Sequence, residues 1–318
     1  MRVVGWLGIL LALPFCVSAQ SLEEGIALFN KGKLAEAKTT FESVLKLNDK
    51  NAEAHYRLGL ILISRRFLNE DDAVDHMEQA VELNPSNADY HYGLGAAYGV
   101  KAQNAGVIKQ AFLAPKVKNA FEKAASLNPK LVEAHIGLAQ YYWRAPGIMG
   151  GDMDKAYKEA ELAIQLDEMR GRQLKANILV DEKKNAEAAQ EMKTLTQHRT
   201  DDWRAWRAAG LFFWRNQMTD DAIASFGKYV ALRPDTADAH QFLALAYYQK
   251  KDAGKAIANA KKALELDGEN INATNVLAQA YELIGQKKEA LEKYERLLAL
   301  DVSPEYRKTV EKKIKELQ

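Results

Sequence analysis

A single cysteine in 318 residues, at position 16, excludes a disulfide framework and leaves almost nothing for thiolate chemistry. Seven prolines are too few for a proline-rich disordered chain. Neither charge sign is in excess. Lys plus Arg total 44 and Asp plus Glu total 43, interleaved along the chain, so the balance points to neither nucleic acid nor an anionic membrane as partner. No uncharged apolar run reaches the roughly 20 residues of a spanning helix, so stable membrane insertion is not expected. The longest, Val3 to Leu13, follows Arg2 and precedes the small residues Val17-Ser18-Ala19. That is the pattern of a signal peptide, residues 1–19, cleaved after Ala19, and it predicts a periplasmic or secreted protein. Lipidation of Cys16 would want a small residue before it, and Phe15 is bulky. The mature chain from Gln20 would hold 43 charges of each sign and no cysteine.

Catalytic signatures are absent too. There is no Gly-x-Ser-x-Gly, no Ser-x-x-Lys with partners, and no phosphate loop. The six histidines form no His-x-x-His pair, and no clustered carboxylate ligand set appears, so no metal or other cofactor is expected. Four of them, His55, His91, His135 and His240, share a repeat position with Trp206. They are read as packed between helices. Most carboxylates sit three or four residues from a lysine, as solvated helix faces do. No reading here favours an enzyme.

What is present is a repeat. Trp206, Gly210, Phe213, Ala222, Phe226 and Pro234 form one unit; His240, Ala244, Tyr247, Ala256 and Ala260 repeat it 34 residues on. The small residue of each unit falls at 25, 59, 95, 139, 176, 210, 244 and 278, and four of the seven spacings are 34. Each unit reads as two amphipathic helices, which must stack on neighbours to bury their apolar faces. Asn84-Pro85, Asn128-Pro129 and Arg233-Pro234 are expected to end second helices. This skeleton resembles the tetratricopeptide repeat (TPR) family over nearly the whole mature chain. The resemblance implies an all-α, right-handed α-solenoid of about eight helix pairs over residues 20–302, one cooperative array. Residues 303–318, opening on Ser303-Pro304, read as a capping helix.

Three consecutive units exceed the template between their first and second helices: by two residues around Arg65 to Asp72, ten within Val100 to Lys116, and five within Ala145 to Asp154. Such insertions would emerge on one rim, side by side. The last contains Pro146-Gly147-Ile148-Met149-Gly150-Gly151. Ala-Pro-Gly-x-x-Gly-Gly loops after a tyrosine-rich helix resemble those of a loosely described group of bacterial exported TPR proteins. The loop is read as a rigid turn plugging the rim with Ile148 and Met149, or as a docking lip for a partner.

In the TPR resemblance, one face of the first helices lines a concave groove. Those positions hold Trp143 and Arg144 in the fourth unit, and Arg204, Arg207, Trp214 and Arg215 in the sixth. The seventh offers Gln241, Tyr248 and Gln249. The chaperone-tail carboxylate clamp of some TPR domains is not matched, since its positions read Gln173, Asn177, Ala208 and Asp238. Arginines beside aromatic rings suit carboxylates and extended acidic peptides. They equally suit guanidinium stems covering tryptophans. Two functions follow as expectations: a non-catalytic scaffold of the bacterial cell envelope holding an extended, acidic protein segment, or a binder of an anionic small molecule or envelope polysaccharide.

Overall fold

The computed structural model describes residues 13–318, with side chains from residue 21 onward. The whole expected signal segment, with its cleavage point and Cys16, lies outside the described side chains. The described residues are helical throughout, with seventeen α-helices and no strand. In chain order they are α1 Leu13–Asn30, α2 Leu34–Leu47, α3 Ala52–Leu62, α4 Glu70–Leu83, α5 Ala88–Gln103, α6 Val107–Leu127, α7 Val132–Arg144, α8 Met153–Leu166, α9 Glu168–Asp181, α10 Asn185–His198, α11 Trp203–Arg215, α12 Thr219–Leu232, α13 Ala237–Gln249, α14 Ala253–Leu266, α15 Ile271–Leu283, α16 Lys287–Ala299 and α17 Pro304–Leu317. They form two compact units, one ending at Gly171 and the other running from Arg172. Within each, helices pack as antiparallel pairs stacked on their chain neighbours.

Local chemistry explains the boundaries. Several helices open on an Asn or Asp cap whose side chain accepts a free first-turn N–H: Asn51, Asn87, Asp202 and Asn270 before first helices, Asn69, Asp152 and Asp252 before second helices. The regular pairs turn through one left-handed residue, Gly32, Lys183, Gln217, Lys251 or Gly285. The last four of these are 34 residues apart in sequence. Second helices carry a buried Ala with a buried large side chain four residues on: Ala37 and Phe41, Ala73 and Met77, Ala222 and Phe226, Ala290 and Tyr294. One turn separates the two, so both face the partner helix. Each such large side chain contributes roughly 1.5–3 kcal/mol by leaving water.

The histidine position has a specific use. The Nε2–H of His55, His91, His135 and His240 donates to the carbonyl six residues upstream, on Asp49, Pro85, Pro129 and Pro234, at 2.9–3.0 Å. Trp206 Nε1 makes the same bond to Thr200, at 2.7 Å. A ring N–H thus ties each first helix to the turn entering its unit. Three of the four histidines are buried between helices; His240 is half-buried.

One expectation is corrected. The ten-residue excess of the third unit is not a loop. It lengthens α5 and α6, which are joined only by residues 104–106. Pro115, which should interrupt a helix, lies inside α6. Pro115 is exposed, so the carbonyl that loses its partner can be hydrated.

Candidate functional site

In the first unit, the long α5–α6 pair and α7 enclose an open cavity of about 710 Å³. Phe121 of α6 makes its floor. The ring fills the space left by Gly95 of α5 and Gly137 of α7, where a Cβ would come within 2.6–2.7 Å of it. Tyr92 packs on the same ring with centroids 5.9 Å apart. Val100, Val117 and Ile136 add apolar wall.

The Ala-Pro-Gly loop closes one side. It is a short 3-10 turn over Gly147–Met149, packed against α6. The Tyr141 hydroxyl donates to the Met149 carbonyl, which pins the turn to the end of α7. Burial, and then Glu122, holds the Tyr141 pKa above its ordinary value, so the hydroxyl keeps that proton. Both glycines after the turn are required. Gly150 adopts φ +93°, and a Cβ on Gly151 would sit 1.8 Å from the Ala145 carbonyl oxygen. Pro146 and Met149 line the cavity. Ile148 does not plug the rim: it is 94% exposed, because the 3-10 turn points it outward while Met149 faces in.

The cavity's polar groups divide in two. Arg170 is held by Glu133, with Nη1 2.6 Å from Oε1, and Gln110 donates to the Ala105 carbonyl. Tyr92, Gln103, Gln140 and Arg144 make no hydrogen bond or ion pair among the described residues, and all four line the space. Burial raises the Tyr92 pKa, with Glu133 adding to it, so this hydroxyl is a protonated donor at neutral pH. The Arg144 guanidinium lies over the half-buried Trp143 ring, 4.4 Å from its centroid. That contact orients the cation without neutralising it.

In the second unit, α11 carries the other expected residues. Arg204 is already occupied: its Nε and Nη2 reach the two Asp202 oxygens at 2.9 and 3.1 Å. The Arg204 pair, foremost, lowers the Asp202 pKa. Arg207 lies 5.2 Å from the Phe242 ring centroid, and Phe242 in turn stacks on Phe226. Arg215 is exposed at the end of α11. Neither Arg207 nor Arg215 meets a carboxylate within 4 Å among the described residues. Trp214 is half-buried, and its carbonyl accepts from Gln249 at 3.1 Å. Tyr248 is half-buried with the Lys251 ammonium 5.2 Å from its centroid. Gln241, expected on the exposed face, is only 3% exposed and belongs to the core. Sequence reasoning missed Trp203, which stacks on Tyr229 at 5.4 Å under the Arg233 guanidinium. It also missed the cavity residues Tyr92, Gln103 and Gln140, which become neighbours only through helix pairing.

Among the described residues, no group of three or more His, Cys, Asp or Glu is placed to hold a metal ion. No described helix is long and apolar enough to cross a membrane.

Comparison with known proteins agrees with this architecture. The family model described as tetratricopeptide repeat matches residues 22–66 and 174–234, and the one described as TPR repeat matches 71–100. A third, described as anaphase-promoting complex, cyclosome, subunit 3, matches 215–297. Tetratricopeptide repeat protein 37 of Xenopus laevis is 27% identical over 282 residues, which is 86% of this chain. The match spans only 17% of that relative's length. A tetratricopeptide repeat protein from Parabacteroides merdae has a solved structure with TM-score 0.52 at 14% identity, covering 94% of this chain and 98% of the other. A thermophilic TPR protein of Thermus thermophilus aligns over 83% of this chain and 99% of its own, with 18% identity and TM-score 0.35.

Proposed function

With tetratricopeptide-type repeats as the premise, we propose that this protein is a non-catalytic scaffold of the bacterial cell envelope that holds an extended acidic segment of a partner protein. Tetratricopeptide-repeat proteins generally mediate protein–protein interactions, and their fold is generally a non-catalytic scaffold. The envelope assignment rests on the signal-peptide pattern of residues 1–19 and on the resemblance of the Ala-Pro-Gly loop to exported TPR proteins.

One observation carries the reading. Arg207 and Arg215 stand on one helix and meet no carboxylate within 4 Å among the described residues; Arg207 lies over the Phe242 ring, and Arg215 is exposed at the helix end. An unpaired guanidinium beside rings offers a planar donor fork with stiff contact area around it. Eight helical residues put the two about 12 Å apart along the axis. An extended chain covers that in about four residues. The expected partner segment therefore carries two acids about four positions apart.

The test is recovery of a partner from native envelope extract. Arg207→Glu/Arg215→Glu should abolish it. Arg204→Glu should change it little, because Asp202 already occupies that guanidinium. Equal recovery by wild type and the Arg207/Arg215 double variant would sink the proposal.

The first-unit cavity favours a second reading, an anionic small molecule or envelope saccharide. Arg144 and three free polar side chains line it. Because Arg144 rests on Trp143, occupancy should alter that tryptophan's fluorescence. Saturable changes that Trp143→Phe removes would support this reading.

A further inference from the structure

The chain's balanced charge conceals one segment with no acid. Between Asp89 and Glu122 there is no Asp or Glu, while Lys101, Lys109, Lys116 and Lys118 fall inside it. Lys101 pairs with Asp71 at 2.7 Å, and Lys118 lies 3.8 Å from Glu122. Lys109 and Lys116 are exposed and meet no carboxylate within 4 Å among the described residues.

The same segment holds the densest group of exposed apolar side chains. Val107, Ile108 and Phe112 are 70, 78 and 72% exposed, all within the first two turns of α6. Ile108, Phe112 and Lys116 follow one another at four-residue spacing and so form one stripe on the helix. The 3-10 turn packed against α6 adds the exposed Ile148. These residues stand at the tip of the hairpin that the ten extra residues build. The repeat template does not need them.

We infer that this hairpin tip docks peripherally on an anionic phospholipid surface. A bilayer interface asks for two things: apolar side chains that can enter the headgroup boundary, and cations around them for the phosphates. The tip supplies both. Its helix cap, Gly106, has no side chain, and no acid lies in the first turn, so the positive end of the helix dipole adds to the lysines. Large apolar side chains left this exposed on a charged chain mark an interaction surface. Glu70 and Asp71 of α4, which meet the hairpin, are engaged by Asn104 and Lys101, and the unpaired Lys109 and Lys116 select a negative one. The proposal is independent of the arginine face of α11.

The experiment is flotation of the full chain with equimolar phosphatidylglycerol/phosphatidylethanolamine vesicles, against phosphatidylcholine vesicles. Ile108→Asp/Phe112→Asp and Lys109→Glu/Lys116→Glu run in parallel. Every version carries the same N-terminal segment, so differences between them report the tip. The wild type should favour the anionic vesicles, and each double variant should bind at least about tenfold more weakly. Added salt should weaken the wild type. The substituted side chains are exposed, so helical circular dichroism should be unchanged. Arg207→Glu/Arg215→Glu should bind vesicles like wild type. Failure of the wild type to bind, equal binding by the tip variants, or indifference to headgroup charge would each overturn the inference. So would self-association or protein binding that Ile108→Asp/Phe112→Asp abolishes while vesicles are ignored.

Discussion

A single ring N–H links His55, His91, His135, His240 and Trp206 to the carbonyl six residues before each. The position selects a donor at a fixed reach, and two residue types supply it. The acceptor carbonyls belong to exposed residues, so one that loses its donor can be hydrated. His91→Leu should therefore cost only the net worth of one hydrogen bond, about 0.5–1.5 kcal/mol, in denaturant unfolding. Trp206→His should cost less than Trp206→Leu, since it restores the donor; equal losses would show that the ring's bulk, not its N–H, matters. His55 has a further neighbour. Its Nε2–H is committed to Asp49, so its Nδ1 must accept from the Nδ1–H of His76 at 2.8 Å. Burial foremost, then His55, holds the His76 pKa below its ordinary 6.5. The unfolded chain then binds the proton more readily than the folded one. Stability should fall as pH drops through about 6.5, and fall less in His76→Gln. Unfolding midpoints between about pH 7.5 and 5.5 that are the same for both proteins would contradict this.

At the scale of elements, the Ala-Pro-Gly loop shows what a short segment needs in order to be rigid. Tyr141 pins it, and Gly151 passes so close to Ala145 that no side chain fits. Gly151→Ala should cost about 2 kcal/mol or more, while Ile148→Ser, fully in solvent, should stay within about 0.5 kcal/mol. Thermal unfolding of the two variants decides it, and a Gly151→Ala protein as stable as wild type would mean the loop simply moves. The insertions also show where sequence spacing stops being legible. The fourth unit gains five residues before α8, yet the spacing grows by only three. The junction from α8 to α9 is a single residue, Asp167, where regular units use four. It can be that short because Gly171 meets the α8 backbone at Ile164, with a virtual Cβ 2.3 Å from its nitrogen. Two offsetting length changes leave only their sum in a sequence.

Across the whole molecule, the repeat was readable because it is local: a small residue, a large one and a turn recur in fixed order. Helix pairs, their order and the buried Ala and aromatic positions follow directly. The candidate sites were legible only as residue types. Whether an arginine is free depends on a neighbour such as Asp202, and whether Gln241 faces solvent depends on how α13 is rotated. Nor does spacing reveal that extra residues near Val100 extend two helices and enclose a cavity. The two units make a separate claim about cooperativity. In a stacked array, stability sums over each repeat and its nearest neighbours, so damage should stay local. Phe121 seats α6 against both α5 and α7, and Phe121→Ala should remove about 3–5 kcal/mol there. The far end has its own core, in which Val310 of α17 packs with Leu277, Tyr281, Tyr294 and Leu297. Hydrogen exchange should therefore show protection lost in α5 to α7 and kept in α15 to α17. Loss spread evenly over every helix would mean that the chain opens as one cooperative body, with the first unit's packing supporting the last.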